Sequence, residues 1–189
     1  LVSKRNMIIP HVEENLDRGN YQDMIPQTCP CCGQPARTYS RAGDKGRIVE
    51  TLHCDNPECG SRILQRFVHF AEKKAMNIKG LSEATLDQLI RLGALKSYQD
   101  LYHLDRYWKE IIALEGFGEK SYENLIASIN ESRNTTFVRF LVAMDIPLIG
   151  RTASRILDRH FHSSLRELRL AALDRFDFTC LEGIGDIMS

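Results

Sequence analysis

Five of the six cysteines fall in one short stretch of the sequence, and four of them form two close pairs. Cys29 and Cys32 have C-x2-C spacing, and after 21 further residues Cys54 and Cys59 have C-x4-C spacing. Short loops of this kind aim both sulfurs at one point, about 2.3 Å from a zinc ion, and four thiolates leave no open position for catalysis. The spacing therefore predicts one structural zinc ion.

Two alternatives to this cysteine site stay open. A disulfide framework would need an oxidising compartment, and the first dozen residues do not resemble a secretory signal peptide. His53 could replace a cysteine as a ligand. Cys31 is expected to be a free thiol, because pairing with Cys29 would give a strained one-residue spacing, and Cys180 is expected to be a small core residue.

A second pattern with binding chemistry is a small-apolar-small corner placed just before a helix. Glycine permits positive φ and close approach of another backbone. The first amides of the following helix carry the positive end of its dipole, so such a corner can bind a phosphate oxygen. The alternative is a purely structural turn between helices. The candidate residues are Gly80, Ser82, Gly116, Gly118, Gly150, Gly183 and Gly185, with Lys120 and Arg151 adding charge beside the second and third corners.

The four corners lie at 80–82, 116–118, 148–150 and 183–185, and they recur at a regular interval. The helices that follow them begin at 82, 118, 150 and 185, so the separations are 36, 32 and 35 residues. That period is typical of helical-hairpin repeats. Four corners in register favour phosphate binding, which would be independent of nucleic-acid sequence because phosphates carry no base identity.

Three regions must position these residues. Residues 1–27 contain a β-type run at 7–12, which we interpret as the end of a preceding β domain. Residues 28–62 alternate as a two-stranded hairpin around the cysteines. Residues 63–189 are helical by period, with apolar residues such as Leu86, Leu89, Leu125 and Ile129 on one face, and 137–144 is expected to be a buried helix.

Composition excludes several classes of protein. The 189 residues include 25 basic and 25 acidic side chains, with 43% hydrophobic residues, which is typical of an ordinary globular protein. No segment has the ~18 apolar residues of a membrane span. Residues 118–121 lack the glycine that stands directly before the lysine in a phosphate-binding loop. The metal-binding motif HExxH does not occur. Both ends look cut, so we expect a fragment without catalytic residues of its own.

Several stretches together carry a resemblance to a known family. They lie at 29–33, 56–59, 66–70, 75–78 and 135–141. A four-cysteine module followed by four such repeats resembles the C-terminal half of a bacterial NAD-dependent DNA ligase. The resemblance implies a mainly α fold: a helix-hairpin-helix domain at 63–189 with its last repeat truncated, preceded by a small β-hairpin zinc finger with four cysteine ligands at 28–62 and, at 1–27, a remnant strand of an oligonucleotide-binding (OB) barrel.

The resemblance also implies an activity and partners. Ligases of this family seal nicks in duplex DNA during replication and repair, through a lysine adenylated by NAD in a KxDG motif, with Mg as a further cofactor. No lysine here is followed by x-Asp-Gly. We therefore expect this chain to bind nicked duplex DNA in the bacterial cytoplasm without sealing it. NAD and Mg would act in missing catalytic domains of the parent chain.

Two departures from the family pattern concern the corners. Ser82 replaces the second glycine of the first corner, and Leu148 replaces the first glycine of the third. An alternative interpretation is the DNA-binding module of a repair nuclease or of a junction-binding protein. A third is an adaptor that contacts protein rather than DNA.

Overall fold

The computed structural model describes residues 2–5, 9–14, 16, 19, 24–43 and 46–185. The chain divides into two compact units, Leu1–Gly60 and Ser61–Ser189. No helix in the described ranges is long and apolar enough to cross a membrane.

The first unit contains two antiparallel two-stranded sheets. Strand β1 (Val2–Arg5) pairs with β2 (Ile9–Val12), and β3 (Ala36–Ala42) pairs with β4 (Ile48–Cys54). The predicted run at 7–12 corresponds to β2 from residue 9, and residues 7 and 8 lie outside the described part. The predicted hairpin around the cysteines is confirmed as β3 and β4, although residues 44 and 45 of its turn are also outside the described part.

The β3–β4 hairpin has almost no apolar interior. Every side chain in the two strands is exposed except those of Ala36, Val49 and Cys54, which are half-buried. Burial of so little apolar surface cannot offset the entropy lost when the hairpin folds. Some other bond must therefore stabilise this part of the unit.

The second unit is helical, as the periodicity predicts. Serine and threonine side chains cap three of its helices by accepting a backbone N–H bond, which Ser82 does for α2, Thr136 for α5 and Ser164 for α7. A 3₁₀ segment, Tyr98–Tyr107, leads into α3. The helices are α1 (Gly60–Ala71), α2 (Glu83–Arg91), α3 (Trp108–Ile112), α4 (Glu119–Ser132), α5 (Phe137–Ala143), α6 (Arg151–Phe161) and α7 (Leu165–Leu173).

Two hydrophobic cores stabilise this unit. The first core contains Leu86 and Leu89 of α2 with Leu125 and Ile129 of α4, which confirms that the predicted apolar faces are buried. The second core lies between α5, α6 and the segment that follows α7. Its buried members are Phe137, Leu141, Ile156, Leu157, Phe161, Leu181 and Ile184.

Helix α5 belongs to both cores and confirms the predicted buried helix at 137–144. Phe137 and Leu141 pack in the second core, whereas Val142 and Ala143 pack in the first. A helix of seven residues can do this because its apolar side chains surround most of its circumference.

Two polar contacts attach α5 to the segment around the end of α1. The Arg139 guanidinium donates to the carbonyl oxygens of Ala75 (2.8 Å) and Lys73 (2.5 Å). The His69 ring Nε2 lies 2.7 Å from the carbonyl oxygen of Val142. Of these contacts, the one between Arg139 and Ala75 joins two of the stretches that carried the family resemblance, 135–141 and 75–78.

One expectation about the helical unit is wrong. Cys180 is exposed rather than part of the core. It is the last residue of the short 3₁₀ turn Phe178–Cys180, and the buried residue is the next one, Leu181.

Candidate metal centre and nucleic-acid interface

The four cysteines of the two pairs come together at one point. Their sulfurs all lie within 4.8 Å of one another. Cys29 Sγ is 3.8 Å from Cys59 Sγ, and Cys32 Sγ is 3.5 Å from Cys54 Sγ. Four sulfurs placed about 2.3 Å from a central ion in a tetrahedron would be about 3.8 Å apart. The arrangement is therefore compatible with one zinc ion.

The other candidates near this site are excluded by position. All six cysteines lie in the described part of the chain and are free, so no disulfide links the pairs. Cys31 is exposed and is not part of the sulfur cluster, as expected. The His53 ring lies against Tyr39 and places Nε2 2.9 Å from Thr51 Oγ1, outside the cluster.

Backbone hydrogen bonds shape the first cysteine loop. The N–H of Gly33 donates to the carbonyl oxygen of Cys29 (2.9 Å), and the N–H of Cys29 donates to that of Gln34 (2.7 Å). Gly33 has φ of +69°, which a residue with a side chain rarely adopts. This turn directs the sulfurs of both cysteines in the pair toward the same side.

The second cysteine loop is positioned by strand register and by an asparagine turn. Cys54 ends β4 opposite Ala36, which places it beside the first loop. The Asn56 side-chain oxygen accepts a hydrogen bond from the backbone N–H of Glu58 (3.0 Å). The Asn56 backbone carbonyl oxygen accepts one from the N–H of Cys59 (3.2 Å). Cys59 is thereby returned to the cluster and is only 1% exposed.

The protonation of two of the thiols differs. A hydrogen bond from the Gln34 backbone, with a further one from Asn56, lowers the pKa of Cys32 to about 6. The Asn56 backbone lowers that of Cys54, but burial and the neighbouring sulfurs outweigh it and raise the pKa of Cys54 to about 12. A zinc ion bound by these sulfurs would displace the protons that the thiols still carry.

An additional contact beside the site was not predicted from the sequence. The Tyr39 hydroxyl donates to both carboxylate oxygens of Asp55 (2.9 and 3.0 Å), and Arg37 Nε lies 3.3 Å from the same carboxylate. The hydrogen bond to Asp55 raises the pKa of Tyr39. This contact fixes the residue that follows Cys54 onto strand β3.

In the second unit, the four corners share a positive φ at one position. The first residue of each corner has a positive φ angle. The angle is +87° at Gly80, +79° at Gly116, +67° at Leu148 and +94° at Gly183. Leu148 thus adopts the left-handed conformation although it is not glycine. The sequence repeat is thus accompanied by a left-handed residue at the same position of each corner.

The helices after the corners begin differently. Ser82 accepts from the N–H of Thr85 (3.1 Å) and so caps α2 with its own side chain. Gly118 and Gly150 hold the same position before α4 and α6 and offer no side chain. The first amides of α4 and α6 are therefore available to an external acceptor, whereas one at the start of α2 is occupied. The predicted start of the fourth helix is Gly185, and the residues that would continue that helix, 186–189, lie outside the described part of the chain.

The corners face outward. A Cβ atom added to Gly116, Gly118, Gly150 or Gly185 would meet nothing within 4 Å. Lys120 and Arg151, the charged residues predicted to assist, are both exposed at the start of α4 and α6. Of the corner residues, Gly118 is half-exposed, and the exposed ones are Gly80, Ser82, Gly116, Leu148, Gly150, Gly183 and Gly185.

The apolar residue at the centre of each corner points the other way. Leu81 and Phe117 pack against the first core, and Ile149 packs against the second. Ile184 is a member of the second core at 5% exposure. Each corner is therefore anchored by its apolar residue while its flanking residues stay at the surface.

The corners are also held by helices of other repeats. The first corner lies on α4, where the N–H of Lys79 donates to Ser128 Oγ (2.7 Å) and a Cβ at Gly80 would touch Leu125. The fourth lies on α6, where a Cβ at Gly183 would come within 2.9 Å of Ile156. The repeats thus work in two pairs, the first with the second and the third with the fourth. The sequence period does not indicate this pairing.

Comparison with known proteins gives relatives along the full length of the chain. It is 41% identical over 188 residues to a DNA ligase of Ruminiclostridium cellulolyticum and 35% identical over 188 residues to one of Lachnoclostridium phytofermentans, and each match covers 100% of this chain. A DNA ligase of Thermomicrobium roseum is 37% identical over 167 residues, or 86% of the chain. No protein-family model matches.

The chain is shorter than these relatives. It spans 27%, 28% and 23% of the three ligases, respectively. Identity at this level over the whole chain, a span that contains both the cysteine site and the four corners, establishes common descent with that segment. The chain therefore belongs to the DNA ligase family, as a part about a quarter of the length of the relatives it matches.

Proposed function

We propose that this chain is the part of an NAD-dependent DNA ligase that holds duplex DNA around a nick, without reading its sequence. The observation that carries the proposal is the set of four exposed corners with a left-handed residue at the same position of each. The DNA ligase relatives favour this function over that of a nuclease or an adaptor module.

The corners hold the phosphates by their backbone amides. Gly118 and Gly150 leave the first amides of α4 and α6 uncapped, at the positive end of each helix dipole. The open space at both glycines lets a phosphate approach the backbone closely. Lys120 and Arg151 add charge beside the same positions. Because phosphates are alike at every base pair, this grip does not depend on sequence.

The cysteine site holds one structural zinc ion through Cys29, Cys32, Cys54 and Cys59. The sulfur separations suit a tetrahedral ion, and the β3–β4 hairpin has no core that could replace it. The ion supplies the folding free energy of this small module and takes no part in chemistry.

The chemistry belongs to other parts of the parent chain. Adenylation by NAD, the Mg requirement and the sealing step need the KxDG lysine, which this sequence lacks. Within the chain, we assign 1–27 to the end of the OB barrel, 28–62 to the zinc finger and 63–189 to the helix-hairpin-helix domain. We place the parent enzyme in the bacterial cytoplasm.

A titration with nicked and intact duplex at two salt concentrations tests the proposal. We expect binding to both duplexes, tighter to the nicked one, and an affinity that falls steeply as salt rises because bound phosphates release counterions. Binding that is absent, or that is insensitive to salt, would overturn the proposed function.

A substitution at the second corner tests the role of the amides. Gly118 has φ of −165° and no atom near an added Cβ, so Gly118→Val is expected to fold with unchanged helix content. It should weaken duplex binding about tenfold, because the side chain keeps phosphate away from the α4 amides. Ala127→Val, at an exposed position on the same helix, is the matched control and should bind like the wild type. Equal affinities for the two variants would refute this role.

A further inference from the structure

A basic groove lies beside α6, and none of the corner residues lines it. It has a volume of about 630 Å³ and is lined by parts of α5, α6 and the segment after α1. Five of its nine lining residues are basic and none is acidic. The basic residues are Lys73, Lys74, Arg139, Arg151 and Arg155.

Three of these charges have no ion-pair partner among the described residues. The Arg139 guanidinium is bound to two carbonyl oxygens, and Lys74 Nζ pairs with Glu72 at 2.8 Å. Lys73, Arg151 and Arg155 are exposed, and within the described part of the chain no carboxylate lies at ion-pair distance from them. Like charges gathered in a concave surface attract an anion strongly.

The arginines continue along α6 beyond the groove. Arg151, Arg155 and Arg159 are spaced four residues apart, so they lie on one face of the helix with about 6 Å of rise between neighbours. Arg151 directly follows the third corner, and Arg159 lines a cleft that contains Gly183 of the fourth corner. The row therefore runs from one corner to the next.

Acidic residues along this row are few. Asp158 lies between Arg155 and Arg159 in a neighbouring cleft, where its carboxylate accepts a hydrogen bond from Ser163 Oγ at 2.7 Å. Glu182 lines the cleft at Gly183. The net charge of the row with Lys73 remains positive.

We propose that Lys73 and the arginine row of α6 bind consecutive phosphates of one DNA strand between the third and fourth corners. This inference rests on the proposed function. It adds phosphate contacts by these basic side chains, called the track below, to the backbone contacts at the corners. Long flexible basic side chains bind phosphates of any sequence, so the track would raise affinity without adding specificity.

Paired charge-removing variants test the track. Lys73→Gln/Arg155→Gln removes two unpaired charges of the groove and keeps most of each side-chain stem. Lys96→Gln/Arg106→Gln changes the net charge equally at two exposed residues between α2 and α3, outside the groove. Each variant is titrated with nicked duplex over a range of salt concentrations, and circular dichroism verifies that it folds.

The groove variant is expected to reduce the slope of log affinity against log salt by about 2, since each lost phosphate contact lowers it by about 1. The control should keep the wild-type slope. If the groove variant matches the control while the wild type binds, the track is wrong and the corners alone hold the DNA. If the wild type itself shows no salt-dependent binding, the proposed function fails together with the track.

Discussion

At the scale of single residues, local backbone geometry brings the four cysteine sulfurs together. The Gly33 turn and the Asn56 turn each return one cysteine to the cluster, and the β3–β4 register places the two loops side by side. Little apolar surface surrounds them, so a zinc ion bound by the four sulfurs would supply stability that this module lacks.

Loss of one buried ligand is therefore expected to release the ion. Cys59→Ser should lower the zinc content from about one ion per chain to near zero, measured by mass spectrometry of the purified protein, because a serine hydroxyl is a poor zinc ligand. The helix content should be unchanged, since the helical unit has its own cores.

Cys31→Ser is the matched control for this experiment. Its thiol is exposed and outside the sulfur cluster, so the variant should keep one zinc ion. A Cys59→Ser protein that retains a full zinc equivalent would contradict the ligand assignment.

The cysteine pairs could be predicted from spacing alone, but the side-chain contacts that hold the cysteine loops in place could not. Two residues between cysteines constrain a loop directly. The contact between Tyr39 and Asp55 spans 16 residues and depends on which residues of β3 and β4 face each other. Sequence alternation predicts a hairpin without fixing that register.

At the scale of elements, the repeated unit is a corner between two helices with a fixed left-handed residue. Glycine occupies this position in three corners and leucine in the remaining one, the third along the chain. A side chain in this conformation costs about 1–2 kcal/mol. Leu148 is 57% exposed, so burial of its side chain offsets only part of that cost.

Restoring glycine at the third corner is expected to stabilise the protein. Leu148→Gly should raise the free energy of unfolding by about 1 kcal/mol and the thermal midpoint by about 2–4 °C, measured by calorimetry. The reciprocal change, Gly116→Leu, introduces the same strain in open space and should lower the midpoint by a similar amount. A Leu148→Gly midpoint at or below that of the wild type would contradict this account.

The helices and their period were predictable because apolar spacing repeats over a long stretch. The third corner shows the limit of that prediction. Its sequence, with Leu148 in place of glycine, suggested a departure from the pattern, whereas Leu148 keeps the positive φ of the three glycines. Its neighbour Ile149 packs against the second core, while Leu148 adopts a conformation that a leucine disfavours. Phosphate contacts at the four corners stay a prediction.

At the scale of the whole helical unit, two pairs of repeats are joined through α5. Its residues enter both cores, and Arg139 and His69 connect it to the segment around the end of α1. The sequence identified α5 as buried, but no local pattern indicates which side chains enter which core.

Removing the arginine contact is expected to uncouple the two cores. Arg139→Gln loses two hydrogen bonds from a charged group, which should cost about 2 kcal/mol. Trp108, the single tryptophan of the chain, is exposed in α3, whose Ile111 belongs to the first core, so its fluorescence reports on the unfolding of α3. Circular dichroism of the variant should show helix loss at lower denaturant than the tryptophan signal, as the second core unfolds first.

Arg133→Gln is the control for this experiment. Arg133 bonds to Asn130 and to the Tyr102 carbonyl, both beside the first core, so its loss should leave the two transitions together. Coincident transitions in Arg139→Gln would show that the apolar contacts of α5 suffice to couple the cores.

The shared helix α5 also affects the conformational entropy cost of binding a duplex. Because residues of α5 enter both cores, we expect the distances between the four corners to be set before a partner binds. A duplex that matches this preset spacing would be bound without ordering the protein, so the conformational entropy cost would fall mainly on surface side chains. Substitutions in α5 that loosen the unit should therefore weaken affinity even though they touch no phosphate.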